Sequence, residues 1–219
     1  MSVEPERAGK LFRSILKAEV SASDLSFSED CLEKLARHYD LLVKWNPAVR
    51  LVGSTDPRIV ARRHTLESLV LASHVPRPDG TLLDIGSGNG FPAIPLKCAL
   101  PSLAVTMMEP MLKKSVFLET AISEMGLTGT RVLRERVDSA GDLTSHGRWD
   151  AITMRAVAVV PLVMATAPET LAPGGRILFM VGQAGLDQVR TLTLPPLRIV
   201  ELVQLPRRSA SWLVSVGLS

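Results

Sequence analysis

The chain predicts an α/β fold, a Rossmann-like doubly wound sheet with a helical N-terminal extension. Three observations carry that expectation. From about residue 81 onward, short apolar runs alternate with segments of helical period, and such alternation builds strands joined by crossover helices. The run Leu82-Leu83-Asp84-Ile85 passes directly into Gly86-Ser87-Gly88-Asn89-Gly90-Phe91, a strand ending in a turn rich in glycine. Up to about residue 75, by contrast, the chain reads as helical. The junction falls at 77–80, so the expected units are a helical extension over 1–76 and a cofactor-binding domain over 77–219.

Within the extension, Ser26-x-x-Glu29 has the form of a capping box. Leu32, Leu35, Ala36, Tyr39, Leu42 and Val43 follow at helical spacing as far as Trp45. That helix should stop near Asn46-Pro47, because the residue before a proline is pushed out of the helical region. A shorter helix over 56–73 turns Ile59, Val60, Leu66, Leu69, Val70 and Leu71 inward and ends before Pro76 and Pro78. Strands are then expected over 81–86, 104–109, 131–134 and 151–154, with helices over 92–99 and 112–125 between the first three. A helix over 161–171 should be stopped by Pro173-Gly174-Gly175, ahead of a fifth strand over 176–181. The runs 197–204 and 211–216 would form a terminal hairpin. There are no internal repeats and no low-complexity tract.

The glycine turn carries the chemistry. Glycine is needed where the backbone takes positive φ, or where a ligand touches the main chain with no Cβ in the way, and here it recurs at Gly86, Gly88 and Gly90. A dinucleotide site would read G-x-G-x-x-G, with the pyrophosphate on the following helix. Phe91 stands at that third position, and Pro92 and Pro95 remove donors from the first turn beyond it. A nucleoside without a pyrophosphate fits better. A second apolar run, Ala104-Val105-Thr106-Met107-Met108, ends in Glu109. A carboxylate at that strand tip, roughly 20 residues past the turn, can hold a ribose diol. That spacing suits a nicotinamide cofactor as well, and the glycine arrangement separates the two.

Composition excludes several classes. Apolar residues make up 46% of the 219, enough for a real core, while aromatics make up 4%, too few for the stacking platforms of single-strand binders. Cys31 and Cys98 are not closely spaced and there are four histidines, which suggests neither a disulfide framework nor a zinc site. Both cysteines read as small buried hydrophobes. No run has the form of a signal peptide or of a membrane span, so the expectation is a soluble cytoplasmic protein, a monomer, with no metal. The net charge is +3, and basic residues gather at Arg58, Arg62, Arg63 and His64, and again at Lys113-Lys114, Arg131, Arg134, Arg136, Arg207 and Arg208. Such a distribution permits an anionic partner.

The D-x-G-x-G-x-G pattern resembles the first motif of the class I S-adenosylmethionine-dependent methyltransferases. Nearly the whole chain resembles one family among them, the bacterial 16S ribosomal RNA guanine-N7 methyltransferases, also called glucose-inhibited division protein B. The resemblance lies in Lys44-Trp45-Asn46 with Leu51 beyond it, Arg63-His64-x-x-Glu67-Ser68, the stretch from Asp84 to Leu96, Lys113-Lys114-x-x-Phe117-Leu118, Arg136-Val137 and Arg155-Ala156. It implies S-adenosyl-L-methionine as cofactor and the 16S RNA or small subunit as partner. It further implies that Gly86 and Phe91 line the cofactor site, that Val137 and Asp138 meet the adenine, and that Arg155 sits at the site. Asp84 would fix the turn and approach the methionine amino group, and Glu109 would take the ribose. The chain departs from the family at Arg50-Leu51-Val52, where N-L-T is usual, at Glu67, where aspartate is usual, and at Val181, where a lysine precedes the glycine.

The residues also say what the reaction does not need. Guanine N7 carries an in-plane lone pair and no proton, so in-line attack on a sulfonium methyl needs positioning and desolvation more than a general base. Exocyclic-amine methylation would resemble a [D/N/S]-P-P-aromatic loop after the fourth strand, where Met154-Arg155-Ala156-Val157 stands instead. Arg155, at the end of a central strand, is the candidate catalytic residue, since its planar fork can hold a phosphate or a guanine edge. The alternative for it is an ion pair with Asp84 or Asp138. His64, Lys113 and Arg136 are candidates for RNA contact. Three other readings stay open: a small-molecule methyltransferase of the same fold, a non-catalytic RNA-binding assembly factor, and a nicotinamide oxidoreductase.

Overall fold

The computed structural model describes residues 5–155, 160–206 and 211–219. Ala156, Val157, Arg207 and Arg208, which enter the sequence reading, lie outside the described residues. Two helices open the chain, α1 (Pro5–Ser21) and α2 (Glu29–Val49), followed by an irregular helical run of α3 (Pro57–Val60), a π-helical turn (Ala61–Leu66), α4 (Glu67–Val70) and a 3-10 turn (Leu71–His74). The alternating part follows as β1 (Thr81–Ile85), α5 (Ala93–Ala99), β2 (Ala104–Met108), α6 (Leu112–Met125), β3 (Thr130–Leu133), α7 (Ala140–Thr144) and β4 (Trp149–Arg155). It closes with α8 (Val160–Thr170), β5 (Leu171–Gly182), α9 (Gln183–Leu192), β6 (Leu197–Gln204) and β7 (Ser211–Leu218).

The seven strands form one sheet in the order β3-β2-β1-β4-β5-β7-β6. The first five pair in parallel, and β7 runs antiparallel between β5 and β6. The strand order reverses between β1 and β4, which leaves a crevice at their C-terminal ends. Successive residues of β1 and β4 face opposite sides, so Leu82 and Ala151 join the core beneath α1, α2, α5 and α6, while Leu83 and Ile152 join the core beneath α8 and α9. The expected doubly wound fold is therefore present, with the N-terminal helices packed on one of its faces.

Three local expectations are corrected. The N-cap of α2 is Ser28, whose hydroxyl accepts from Cys31 N at 3.1 Å; the Ser26-x-x-Glu29 box does not form, because with Ser28 as cap Glu29 is the first helical residue and not the third, and its carboxylate pairs with Arg13 and Lys17 of α1. Nor does α2 stop at Asn46-Pro47. Proline's fixed φ is helical and only one backbone donor is lost, so the helix runs on to Val49, with Arg50 as C-cap at φ 53° and its N–H donating to the Asn46 carbonyl at 2.9 Å. An asparagine would suit that left-handed backbone better than arginine does. Finally, α8 ends at Thr170 as the expected stop requires, but β5 begins at Leu171 and not at Arg176. Leu171 already pairs with Trp149 and the next pair is Arg176 with Ala151, so the three residues form an irregularity inside β5. Gly175 is required there because a Cβ would stand 2.7 Å from the Trp149 carbonyl. The short helices α7 and α9 carried no sequence expectation.

Candidate active site

The end of β1 and its turn form the floor of the crevice. Gly86, Gly88 and Gly90 all have positive φ, at 74°, 53° and 86°, as the glycine spacing anticipates. The turn is tied to the second strand, since Gly86 N and Ser87 N both donate to the Met108 carbonyl, at 2.9 and 3.1 Å. Ser87 closes it below by donating its hydroxyl to the Asp84 carbonyl at 3.0 Å. A Cβ on Gly88 would meet nothing nearer than 3.6 Å, so the space over this residue is open. Gly90 is the opposite case, with Ile94 Cδ1 2.4 Å from where a Cβ would stand.

Two carboxylates face this turn. Asp84 is 1% exposed; its Oδ1 accepts from the Thr153 hydroxyl at 2.7 Å, and its Oδ2 is buried with no hydrogen-bond partner among the described residues. Burial, reinforced by the Glu109 charge, pushes the Asp84 carboxyl up to about 6 against the pull of the Ser87 and Thr153 hydroxyls and the Arg155 charge. Glu109, 4% exposed, accepts from Gly88 N through Oε2 at 3.0 Å and from Met111 N through Oε1 at 2.9 Å. The acid at the tip of β2 thus fixes the glycine turn directly.

Arg155 ends β4 and meets the irregular helical run. Its Nη2 donates to the Arg63 carbonyl at 2.6 Å and to Glu67 Oε2 at 3.0 Å. Its carboxylate partner is Glu67, which is 2% exposed, and not Asp84 or Asp138, because Asp84 is turned toward Thr153 and Asp138 is exposed on the far loop beside Arg136, at 4.0 Å. The π-helical turn sets this geometry. The Thr65 hydroxyl donates to the Val60 carbonyl, five residues back, at 3.2 Å, and the extra residue in the turn places Arg63 and Glu67 toward β4; such bulges recur at functional sites.

Phe91 is 3% exposed, and its ring packs on those of His64, at 5.3 Å and 25°, and His38, at 4.9 Å and 50°. His64 is accordingly half-buried and stacked. Val137 is buried at 6%, and Asp138 beside it is exposed, with its N–H donating to Asp142 Oδ2 at 2.9 Å. Lys113, in the first turn of α6, and Arg136 are both exposed. Val181 lies in β5 opposite Trp212. Cys31 and Cys98 are buried, and burial pushes both thiols up, that of Cys31 to about 12. Among the described residues no group of three or more His, Cys, Asp or Glu is placed to hold a metal, and no helix is long and apolar enough to cross a membrane. Sequence reasoning missed His38, whose Nε2 lies 2.9 Å from the Asn89 carbonyl; a lone histidine inside a helix gives no signal of its distant partner.

These donors and acceptors suit a nucleoside that carries an ammonium group. The buried Asp84 Oδ2 is an acceptor awaiting a donor, Gly88 leaves room where a side chain would intrude, and each Glu109 oxygen retains a lone pair. The strand order, the turn and the acid at the tip of β2 define an α/β protein of the methyltransferase type. Solved structures of that fold are similar to it. A glycopeptide N-methyltransferase, MtfA, complexed with (S)-adenosyl-L-methionine matches with a TM-score of 0.58 at 13% identity, covering 71% of this chain and 94% of that one. A precorrin-6y C5,15-methyltransferase from Geobacter metallireducens GS-15 matches with a TM-score of 0.57 at 10% identity, covering 78% and 92%.

Sequence similarity is more particular. The family GidB, rRNA small subunit methyltransferase G, matches over residues 31–196. The ribosomal RNA small subunit methyltransferase G of Chloroflexus aggregans is 37% identical over 176 residues, covering 80% of this chain and 74% of its own. That of Myxococcus xanthus is 36% identical over 176 residues, covering 80% and 81%. The chain belongs to the rRNA small subunit methyltransferase G family.

Proposed function

We propose that the protein binds S-adenosyl-L-methionine in the crevice between β1, β2 and β4 and methylates N7 of a guanine in 16S ribosomal RNA of the small subunit. The carrying observation is the Glu109 carboxylate, which accepts from Gly88 N and Met111 N and so presents an ordered acceptor pair at the place of a ribose diol. In this reading Asp84 receives the amino group, Gly86, Gly88 and Gly90 admit the ligand to the backbone, Phe91 supports the turn from beneath, and Val137 and Asp138 flank the adenine. The bound cofactor supplies an electrophilic sulfonium methyl. Everything else falls to the chain: to hold, orient and exclude water.

The chain's own acids are engaged in ways that suit a target without a proton. Asp84 and Glu109 are both buried and bonded to hydroxyl or amide donors, and neither is needed as a base for guanine N7. Arg155, held by Glu67 and by the Arg63 carbonyl, orients the RNA through a phosphate or a guanine edge. Lys113 and Arg136 supply exposed charge for the backbone, and His64 contributes from its stack on Phe91. The segment 1–76 acts as a helical unit that frames the site, 77–219 as the domain that binds the cofactor, and the protein works as a cytoplasmic monomer.

The test is incubation with methyl-labelled S-adenosylmethionine and unmethylated small subunits, followed by the chemical strand cleavage that N7-methylguanine permits. Label at one guanine, with cleavage there, is the expected result. Cofactor binding without label on subunits or on naked RNA would overturn it in favour of a small-molecule enzyme or an assembly factor.

A further inference from the structure

The glycine turn is held from two sides. Glu109 fixes Gly88 from the β2 side. On the other side, the next residue is held entirely by the N-terminal helical segment and by the turn itself: Asn89 Nδ2 donates to the Leu51 carbonyl at 3.1 Å, Asn89 Oδ1 accepts from Phe91 N at 3.2 Å, and the Asn89 carbonyl faces His38 Nε2 at 2.9 Å. A carbonyl only accepts, so Nε2 carries the proton and donates.

We propose that His38, on α2, is a positioning residue for cofactor binding, whose ring N–H holds the Asn89 carbonyl and thereby sets the path of the backbone from Gly88 to Gly90. This rests on the reading that the turn binds S-adenosylmethionine. Three features of the surroundings support it. His38 is 1% exposed and packed on Phe91 at 4.9 Å and Phe117 at 6.1 Å, so its ring has one seat. Gly90 is matched to it, since a Cβ there would stand 3.2 Å from Nε2 and crowd the ring. Burial also holds the ring neutral, its pKa depressed to about 4, so the same single donor is present throughout the neutral range. His38 touches neither the reacting atoms nor the space above Gly88; it acts through the peptide it holds.

Glutamine and asparagine separate the hydrogen bond from the packing. The amide nitrogen of glutamine lies as many bonds from Cα as His Nε2 and reaches the carbonyl, whereas that of asparagine falls one bond short. The experiment is calorimetric binding of S-adenosylhomocysteine to the full chain, as wild type, His38→Gln, His38→Asn and His38→Met, with thermal melts to count the folded fraction. KM and kcat on small subunits are measured alongside. Loss of one such bond predicts about tenfold weaker binding for the Asn and Met variants, with Gln within about threefold of wild type. KM for S-adenosylmethionine should rise in parallel, while kcat and KM for RNA stay near wild type. Wild-type affinity in the Asn variant would overturn the proposal. So would a folded Gln variant that binds as poorly as Asn, since ring packing would then be responsible. If the Met variant fails to fold, the Gln and Asn pair decides. A wild-type chain that binds no S-adenosylhomocysteine would bring down the cofactor reading itself, a result distinct from any difference among variants.

Discussion

Arg155 and Glu67 form an ion pair at 3.0 Å between the tip of β4 and the irregular helical run, with the carboxylate 2% exposed. The pair ties the N-terminal helices to the sheet at the point where the crevice opens. A cation at a strand tip would ordinarily be removable at little cost to stability. Here its removal takes one ion-pair partner away from a buried carboxylate.

Arg155→Ala should therefore lose methyl transfer and also destabilise the fold by on the order of 2 kcal/mol, since it removes the charge-assisted hydrogen bond that Arg155 gives to the buried Glu67 carboxylate. Glu67→Gln in the same chain should recover part of that loss. A double-mutant cycle by chemical denaturation measures it, and a coupling energy of about 1 kcal/mol or more is expected. Strictly additive single effects would show that the pair contributes nothing to stability.

Glu109→Gln should be nearly as damaging to cofactor binding as Glu109→Ala. Both carboxylate oxygens accept from backbone N–H groups, of Gly88 and Met111, and an amide can offer an acceptor to only one of them, turning its own N–H toward the other. S-adenosylhomocysteine affinity should fall about tenfold or more in either variant, the equivalent of about 1.4 kcal/mol. A glutamine variant with wild-type affinity would remove Glu109 from the site.

Gly88→Ala and Gly90→Ala should separate binding from folding. Alanine at 88 meets open space and incurs only its φ of 53°, roughly 1–2 kcal/mol, yet it fills the volume the ligand needs. Alanine at 90 adds collisions with Ile94 and His38 and should lower stability further, by on the order of 1–3 kcal/mol more. Thermal melts with and without S-adenosylhomocysteine distinguish the two, with ligand-induced stabilisation abolished in the 88 variant.

The acid limb of the stability profile should carry two opposed contributions. His38 has its pKa depressed from 6.5 to about 4, so the unfolded chain binds the proton first and this contribution is lost as pH falls from about 6.5 to 4. Asp84 has its pKa raised from 3.8 to about 6, so the folded chain binds the proton first and is stabilised as pH falls through the same window. His38→Gln removes only the first. Relative to wild type, the variant should gain on the order of 2–3 kcal/mol between pH 7 and pH 4, read by denaturant unfolding without ligand. A difference that does not change with pH would mean that His38 is not held neutral.

Most of the fold was legible because its signals are local. Asp84, Gly86, Gly88, Gly90 and Glu109 lie at strand ends and at positive φ, where the residue type itself reports the backbone, and the strands and crossover helices are periodic over short windows. Where a local rule failed, a distant partner had outweighed it. Glu29 pairs with Arg13 and Lys17 of α1, and the pairing of Leu171 with Trp149 across the sheet draws Pro173-Gly174-Gly175 into β5.

By itself the sequence determined an α/β sheet, a glycine turn under an acid, and the family to which these motifs belong, since each is written in residues close together along the chain. Only the tertiary structure decided that Arg155 answers to Glu67, 88 residues away, and that His38, 51 residues before Asn89, holds the turn. A hydrogen bond depends on separations of about 3 Å in space, and helix α2 and the π-helical turn acquire those separations only when they pack against the sheet.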